Sequence, residues 1–200
     1  MGKKIKSIEK LDCLGLNHHL MCITRNVEEA LEFAKKHPKG SIRTDWVVES
    51  GYNLPFYVYE TFEEFLELVP KLQQDTKNGL VLIISNGHAY DDHLRYNLVC
   101  SIDRDGMCKA EWSVKQVPLR HMYRYPEDLV SICGHIDERL GNWKICNREA
   151  NAVNLREIYN RIQELFLGVE EKRLYEKELE ISVYRVPCGV QDTDMVFWEL

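Results

Sequence analysis

The sequence predicts an α+β protein: a single domain over residues 1–200, with helices packed on a mixed, mainly antiparallel sheet. Three observations carry that expectation. Short apolar runs alternate with segments of helical spacing through the first 85 residues. An Asp105-Gly106 turn separates two strand-like runs in the middle of the chain. Two more strand-like runs flank Gly189 near the end. Helices and strands that intermix around hairpins pack as layers on one core. Sub-lobes 1–86 and 87–200 are the alternative division.

Taken in order, residues 20–24 (LMCIT) form an apolar run that reads as a strand, and Asn26 is a good N-cap for a helix starting at Val27. From Val27 the spacing of Ala30, Leu31 and Ala34 gives one apolar face, with acids early and lysines late, until Pro38-Lys39-Gly40 ends the helix. Residues 41–48 and 54–59 read as strands, the second starting near Pro55. Thr61 and Glu64 make a capping box for a helix carrying Phe62, Phe65, Leu66, Val69 and Leu72, which Pro70 is expected to kink or stop. Residues 80–84 (LVLII) are the most continuous apolar run, as expected of a strand buried on both faces.

Farther on, residues 96–102 and 108–114 are the two arms of the predicted hairpin. Residues 126–140 read as a helix, as do 151–167, whose apolar stripe is Val153, Leu155, Ile158, Ile162 and Leu165-Phe166. The charge-rich stretch 170–180 reads as a helical extension. Strands at 181–186 and 195–198 close the chain.

Composition narrows the function classes. At 44% hydrophobic and 29% charged residues the chain is globular rather than disordered. Its 26 basic residues against 32 acidic ones give a net charge of −6, which argues against broad nucleic-acid binding through neutralised phosphates. No apolar core comes after Lys3, Lys4 and Lys6, so the N-terminus does not read as a secretory signal. Lys6 stands where a myristoylation motif needs Ser or Thr. With no run long enough to span a bilayer, a cytoplasmic protein without a membrane partner is expected. Seven cysteines without a CxxC pair fit reduced thiols.

Several residues could carry chemistry. His88, Asp91, Asp92 and His93 lie together directly after the strongest strand, where sites tend to be built. Two imidazoles and two carboxylates could hold Zn2+ or Mn2+ for a metal-dependent hydrolase, or form a solvated turn. His18 and His19 diverge if they share a strand, and Cys133-Gly134-His135 lacks the long-range partner a Cys–His dyad normally has. The stretch Arg120-His121-Met122-Tyr123-Arg124-Tyr125 could stack bases or pack as a helix approach. Arg43 and Asp45 sit two apart on a strand, and so share either a solvent face or a cleft in which the guanidinium would bind phosphate. Glu111 and Glu199 are strand carboxylates beside tryptophans, the type of residue from which Mg2+–nucleotide sites are built. A third, non-enzymatic reading makes Trp46, Phe56 and Trp198 an exposed aromatic surface for a protein partner.

Leu14-Gly15-Leu16, Met21-Cys22-Ile23-Thr24, Glu28-Glu29-Ala30 and Ser41-Ile42-Arg43-Thr44-Asp45 occur in an order that resembles the start of an ATP-grasp nucleotide-binding domain, particularly the phosphoenolpyruvate-synthase type. The closing Val196-Phe197-Trp198-Glu199 is similar to that family's strand bearing a metal-binding glutamate. The resemblance implies a protein that binds ATP with Mg2+, or another small phosphorylated ligand, with or without ligase activity. It would place Arg43 on phosphate, Asp45 beside it, and Glu111 and Glu199 near the cation.

Overall fold

Strand pairing in the computed structural model, which describes residues 2–46, 54–87, 93–113, 126–146, 155–167, 174–191 and 193–199, is antiparallel throughout and divides the strands between two sheets. The α+β class is as expected. One compact unit takes Met1–Asp91 with Gly189–Gln191, and a second takes Asp92–Cys188 with Asp192–Leu200.

The first unit contains α1 (Lys3–Cys13), β1 (Met21–Thr24), α2 (Val27–Lys36), β2 (Gly40–Trp46), β3 (Phe56–Tyr59), α3 (Phe62–Lys77) and β4 (Leu80–Ser85). Its sheet runs β1-β4-β2-β3, so the apolar run of β4 occupies an inner position, as its composition predicts. Ile42, Leu82 and Ile84 face α2 and α3, packing on Ala30, Ala34, Phe65 and Leu72. The opposite face carries Val81 and Ile83 and is covered by Ile5 and Ile8 of α1.

Two of the helix starts work as their sequences suggest. Asn26 Oδ1 accepts the Glu28 amide at 2.9 Å. Thr61 Oγ1 accepts the Glu64 amide at 3.1 Å, while Glu64 Oε2 accepts from the Glu60 amide at 2.8 Å. Helix α3 runs through Pro70, so the proline does not stop it. The four-residue strand β3 begins at Phe56, and residues 47–48 of the expected second strand lie outside the described residues.

Helix α1 has no counterpart in the sequence reading. Gly2, its N-cap, brings no side chain, and the cap comes instead from Asp45: Oδ2 accepts the Ile5 amide at 3.0 Å. A Cβ on Gly2 would lie 2.1 Å from that carboxyl group, so glycine is needed for the close approach. Residues 189–191 join this unit through three bonds: the Val190 amide to His18 O (2.8 Å), the Gln191 amide to Asn17 Oδ1 (2.8 Å), and Gln191 Nε2 to Gly15 O (2.6 Å).

The second unit contains β5 (Leu94–Ile102), β6 (Met107–Ser113), β7 (Leu129–His135), β8 (Lys144–Cys146), α4 (Leu155–Phe166), β9 (Leu179–Cys188) and β10 (Thr193–Glu199), in the sheet order β10-β9-β5-β6-β7-β8. The β5–β6 hairpin turns through Gly106 at φ 81°, and the β9–β10 hairpin through Gly189, also at 81°. One sheet face is apolar: Leu98, Cys100, Trp112, Ile132, Ile181 and Val183 are all at most 2% exposed. In α4 the residues at helical spacing, Ile158, Ile162, Leu165 and Phe166, are the buried ones.

The helix expected over 126–140 is instead one 3-10 turn, Pro126–Asp128, followed by strand β7. Proline followed by two acids imitates a helix start, but Val130, Ile132 and Gly134 are buried alternately, which is a strand period. Within the expected 170–180 helical extension, Glu180 already belongs to β9. All seven cysteines are free thiols.

Candidate functional site

The second face of the six-stranded sheet carries buried polar groups beside apolar ones such as Val99 and Trp198. Strand alternation puts every second residue there, and across β9, β5 and β6 these include Ser182, Asn97 and Ser113, each at most 1% exposed. Buried polar groups persist only when hydrogen-bonded, and here they are. Trp198 Nε1 donates to Ser182 Oγ at 2.7 Å, and Ser182 Oγ donates to Asn97 Oδ1 at 2.6 Å. Trp198 is itself buried against Val99 and Leu129. It therefore forms no part of an exposed aromatic surface, while Trp46 and Phe56 are half-buried.

One register row crosses this face. Glu199 of β10 pairs with Glu180 of β9, Glu180 with Val99 of β5, Val99 with Glu111 of β6, and Glu111 with Ser131 of β7. The two glutamates singled out in the sequence thus belong to the same row, but they are not neighbours. The residue opposite Glu199 is Glu180, which the sequence reading passed over. With strands spaced at roughly 4.8 Å, Glu111 stands about 10 Å from Glu180 along the row. A register shift on β10 between Phe197 and Glu199 marks a bulge beside the Glu180–Glu199 pair. Bulges of this kind re-aim residues at sites.

The alternation of β9 was the signal that could have revealed Glu180. Leu179, Ile181 and Val183 are fully buried in the apolar face, so Glu180 and Ser182 must stand on the other.

Arg43 and Asp45 belong to the first unit and share a face of β2, as their spacing requires. Asp45 is 5% exposed, and both its oxygens are engaged, Oδ2 by the Ile5 amide and Oδ1 by the Trp46 amide at 2.9 Å. Its environment is that of a helix cap. Arg43 is half-buried between Ile83 and Phe56 in register, with Nε and Nη2 out of contact with solvent.

Of the histidine–aspartate loop only His93 is described; His88, Asp91 and Asp92 lie outside the described residues, as does the basic stretch 120–125. The root of that loop is firmly held, because the Ser41 and Ser85 hydroxyls both donate to Gly87 O, at 2.9 and 2.8 Å. Among the described residues no group of three or more His, Cys, Asp or Glu side chains could by itself hold a metal ion. Nor, among them, is any helix long and apolar enough to cross a membrane. The thiol of Cys108 is pushed up to about 12, chiefly by burial and then by Asp103, and burial raises Cys100 as well. Both are poor nucleophiles.

No protein-family model and no curated sequence matches the chain. Several solved structures do. The ADP complex of N5-carboxyaminoimidazole ribonucleotide synthetase is 9% identical, covering 99% of this chain and 44% of its own, with a TM-score of 0.56. The biotin carboxylase domain of the Hydrogenobacter thermophilus 2-oxoglutarate carboxylase, holding MgADP and bicarbonate, is 15% identical over 100% of this chain and 39% of its own, with a TM-score of 0.55. A Chryseobacterium gregarium RiPP-associated ATP-grasp ligase with ADP and its peptides is 18% identical over 96% and 49%, with a TM-score of 0.46. The chain spans half or less of each of these proteins. Its fold is ATP-grasp-like.

Proposed function

We propose that this chain binds ATP with Mg2+ on the polar face of the six-stranded sheet, the cation being held between Glu180 and Glu199. The observation that supports the reading is the backbone register pair Glu180–Glu199 at a bulge, with Glu180 on that face. Like charges directly opposite each other on adjacent strands destabilise a sheet, and a divalent cation turns that repulsion into attraction. The donor set also suits the ion. Mg2+ prefers hard oxygen ligands and is commonly held by one or two carboxylates together with nucleotide phosphates, so a two-glutamate site lacks only what the nucleotide brings.

Trp198 and Ser182 flank the pair, and their hydrogen bond ties the two strands together beside it. Glu111, farther along the row, would approach the same polyphosphate or a second cation. Taken by itself, the first unit offers Arg43 as a candidate to bind phosphate, whereas Asp45 is committed to α1. Likeness to a synthetase and a carboxylase domain, both holding ADP, supports ATP-consuming ligase chemistry as the activity.

The test is a thermal melt with ATP and Mg2+, ATP and EDTA, and Mg2+ alone. A ligand of the native state raises the melting temperature by mass action. The rise should need both components, and its Mg2+-dependent part should vanish in Glu180→Gln and in Glu199→Gln. An unchanged melt at millimolar nucleotide would sink the proposal.

A further inference from the structure

We propose that the open edge of β1, with the side of α2 above it, is a self-association surface that pairs with a second copy of this chain. The proposal concerns the first unit alone and does not rest on the nucleotide reading.

Register identifies the groups that this edge presents. Among the described strands, β1 pairs with β4 only. The Asn86 amide donates to Leu20 O at 3.1 Å, one step beyond the pair Met21–Ser85. Bonded and non-bonded pairs alternate along antiparallel strands, so Cys22 and Thr24 also turn their amides and carbonyls to β4. Met21 and Ile23 turn theirs the other way. The side chains of Leu20 and Ile23 are 41% and 40% exposed.

An open edge invites pairing unless something blunts it. Each of the other edge strands has such a device: β3 follows Pro55, β8 is three residues long and starts with Lys144, and β10 is interrupted by register shifts. Strand β1 is uncharged and in unbroken register with β4.

The helix beside the edge points to the occupant. Glu29, Glu32, Phe33 and Lys36 recur at helical spacing along one side of α2. It is the β1 side: Glu29 Oε2 accepts from Thr24 Oγ1 at 2.6 Å, and burial, then the Glu29 charge, raises the Cys22 thiol. Acids therefore begin this stripe and a lysine ends it. An antiparallel copy of α2 would set the acidic end of each beside the lysine of the other. Antiparallel is also the direction in which β1 pairs with itself about a two-fold axis. That axis passes between the two Cys22 residues, because then Met21 of each copy exchanges backbone bonds with Ile23 of the other. The two Cys22 residues form a non-hydrogen-bonded pair with Cα atoms roughly 4.5 Å apart, within reach of a disulfide. The surface is smaller than the roughly 20–30 residues a side of a standard interface, so the dimer should be weak and concentration-dependent.

Sedimentation velocity of the full chain under reducing conditions, from micromolar to submillimolar concentration, should show the mass rising from one chain toward two. Ile23→Pro removes an outward N–H while leaving the β1–β4 bonds intact, and should hold the chain monomeric. Ile23→Lys places a charge on the edge without constraining the backbone and should do the same. Lys36→Glu should weaken association about tenfold at low salt, where surface charges are least screened. The swap Glu32→Lys/Lys36→Glu is self-complementary again and should recover most of that loss. In a Cys13→Ser/Cys146→Ser background, which lacks the two exposed thiols, diamide should take the hydrogens of the paired Cys22 thiols and leave a disulfide-linked dimer. Adding Cys22→Ser should abolish it. Glu180→Gln should associate like the parent, which separates this surface from the proposed nucleotide site. A monomeric parent, association that survives both Ile23 variants or is indifferent to Lys36→Glu, or a charge swap without recovery overturns the proposal. So does the absence of a Cys22-dependent cross-link.

Discussion

The two sheets treat their second faces in opposite ways. In the first unit the four-stranded sheet is apolar over β4 on both sides, with α2 and α3 on one face and α1 on the other. In the second, α4 accompanies one apolar face, and the other mixes Ser182, Asn97, Ser113, Glu180 and Glu111 with buried Val99 and Trp198. A second apolar face stabilises; buried polar groups on a second face persist only where hydrogen bonds compensate them. The four-stranded sheet is thus the better structural platform, and the six-stranded sheet is where the nucleotide site is proposed.

The largest expected effect tests the first half of that contrast. Ile83 is fully buried beneath α1, so Ile83→Ala should cost about 2–5 kcal/mol in urea-induced unfolding, as other large-to-small core changes do. A cost near zero would mean that α1 does not cover this face, and the contrast between the sheets would fail.

Next comes the cap that brings α1 there. Asp45→Ala removes the acceptor of the Ile5 and Trp46 amides and should cost about 1–2 kcal/mol. Native-state hydrogen exchange should locate the loss, with the Ile5 amide exchanging faster while amides in β7 stay protected. Loss spread evenly over both units would argue against a local cap.

A smaller effect belongs to the first unit and fades at high pH. Tyr57 Oη donates to Asp75 Oδ2 at 2.9 Å, and burial, then this bond and the Asp75 charge, push the phenol up to about 12. The folded state therefore holds the proton more tightly than the unfolded chain. Its contribution is fully present below about pH 10 and is lost as pH rises toward 12. Tyr57→Phe should lose roughly 1 kcal/mol at neutral pH and show a shallower alkaline decline than the parent. Tyr59 and Tyr96 are also raised by burial, so the decline should be reduced rather than abolished.

How far these differences are visible in the sequence depends on how local their causes are. The inner position of β4 is legible because both its faces are apolar, and α2 and α3 because Asn26 and Thr61 cap them from the adjacent residue. Helix α1 is illegible for the opposite reason: its cap, Asp45, lies forty residues away. Strand β7 was obscured by Pro126-Glu127-Asp128, a helix-like start that yields only one 3-10 turn. Glu111 and Glu199 stand out as acids beside tryptophans, but their separation on the row and the presence of Glu180 depend on β5 pairing with β9 across some eighty residues. No local pattern encodes that register. Glu180 was further masked by the charges of 170–180, which suggest a helix where a strand begins.

The smallest expected effect runs in the other direction and decides whether the glutamate row is a site or merely a tolerated surface. On the proposed reading Glu180 and Glu199 would repel each other without the cation, so Glu180→Gln should stabilise the metal-free protein by roughly 0.2–1 kcal/mol. Added Mg2+ with nucleotide should reverse the order, stabilising the parent more than the variant. A purely structural role predicts the opposite in metal-free buffer, because replacing a carboxylate that contributes to folding loses stability. Lys109 shares Glu111's face two residues along β6, so Glu111→Gln on the same row makes a useful control, expected to change stability less than Glu180→Gln does. If Glu180→Gln destabilised the chain with and without Mg2+ alike, the polar face would be one more structural surface, and the difference between the two sheets would no longer locate a function.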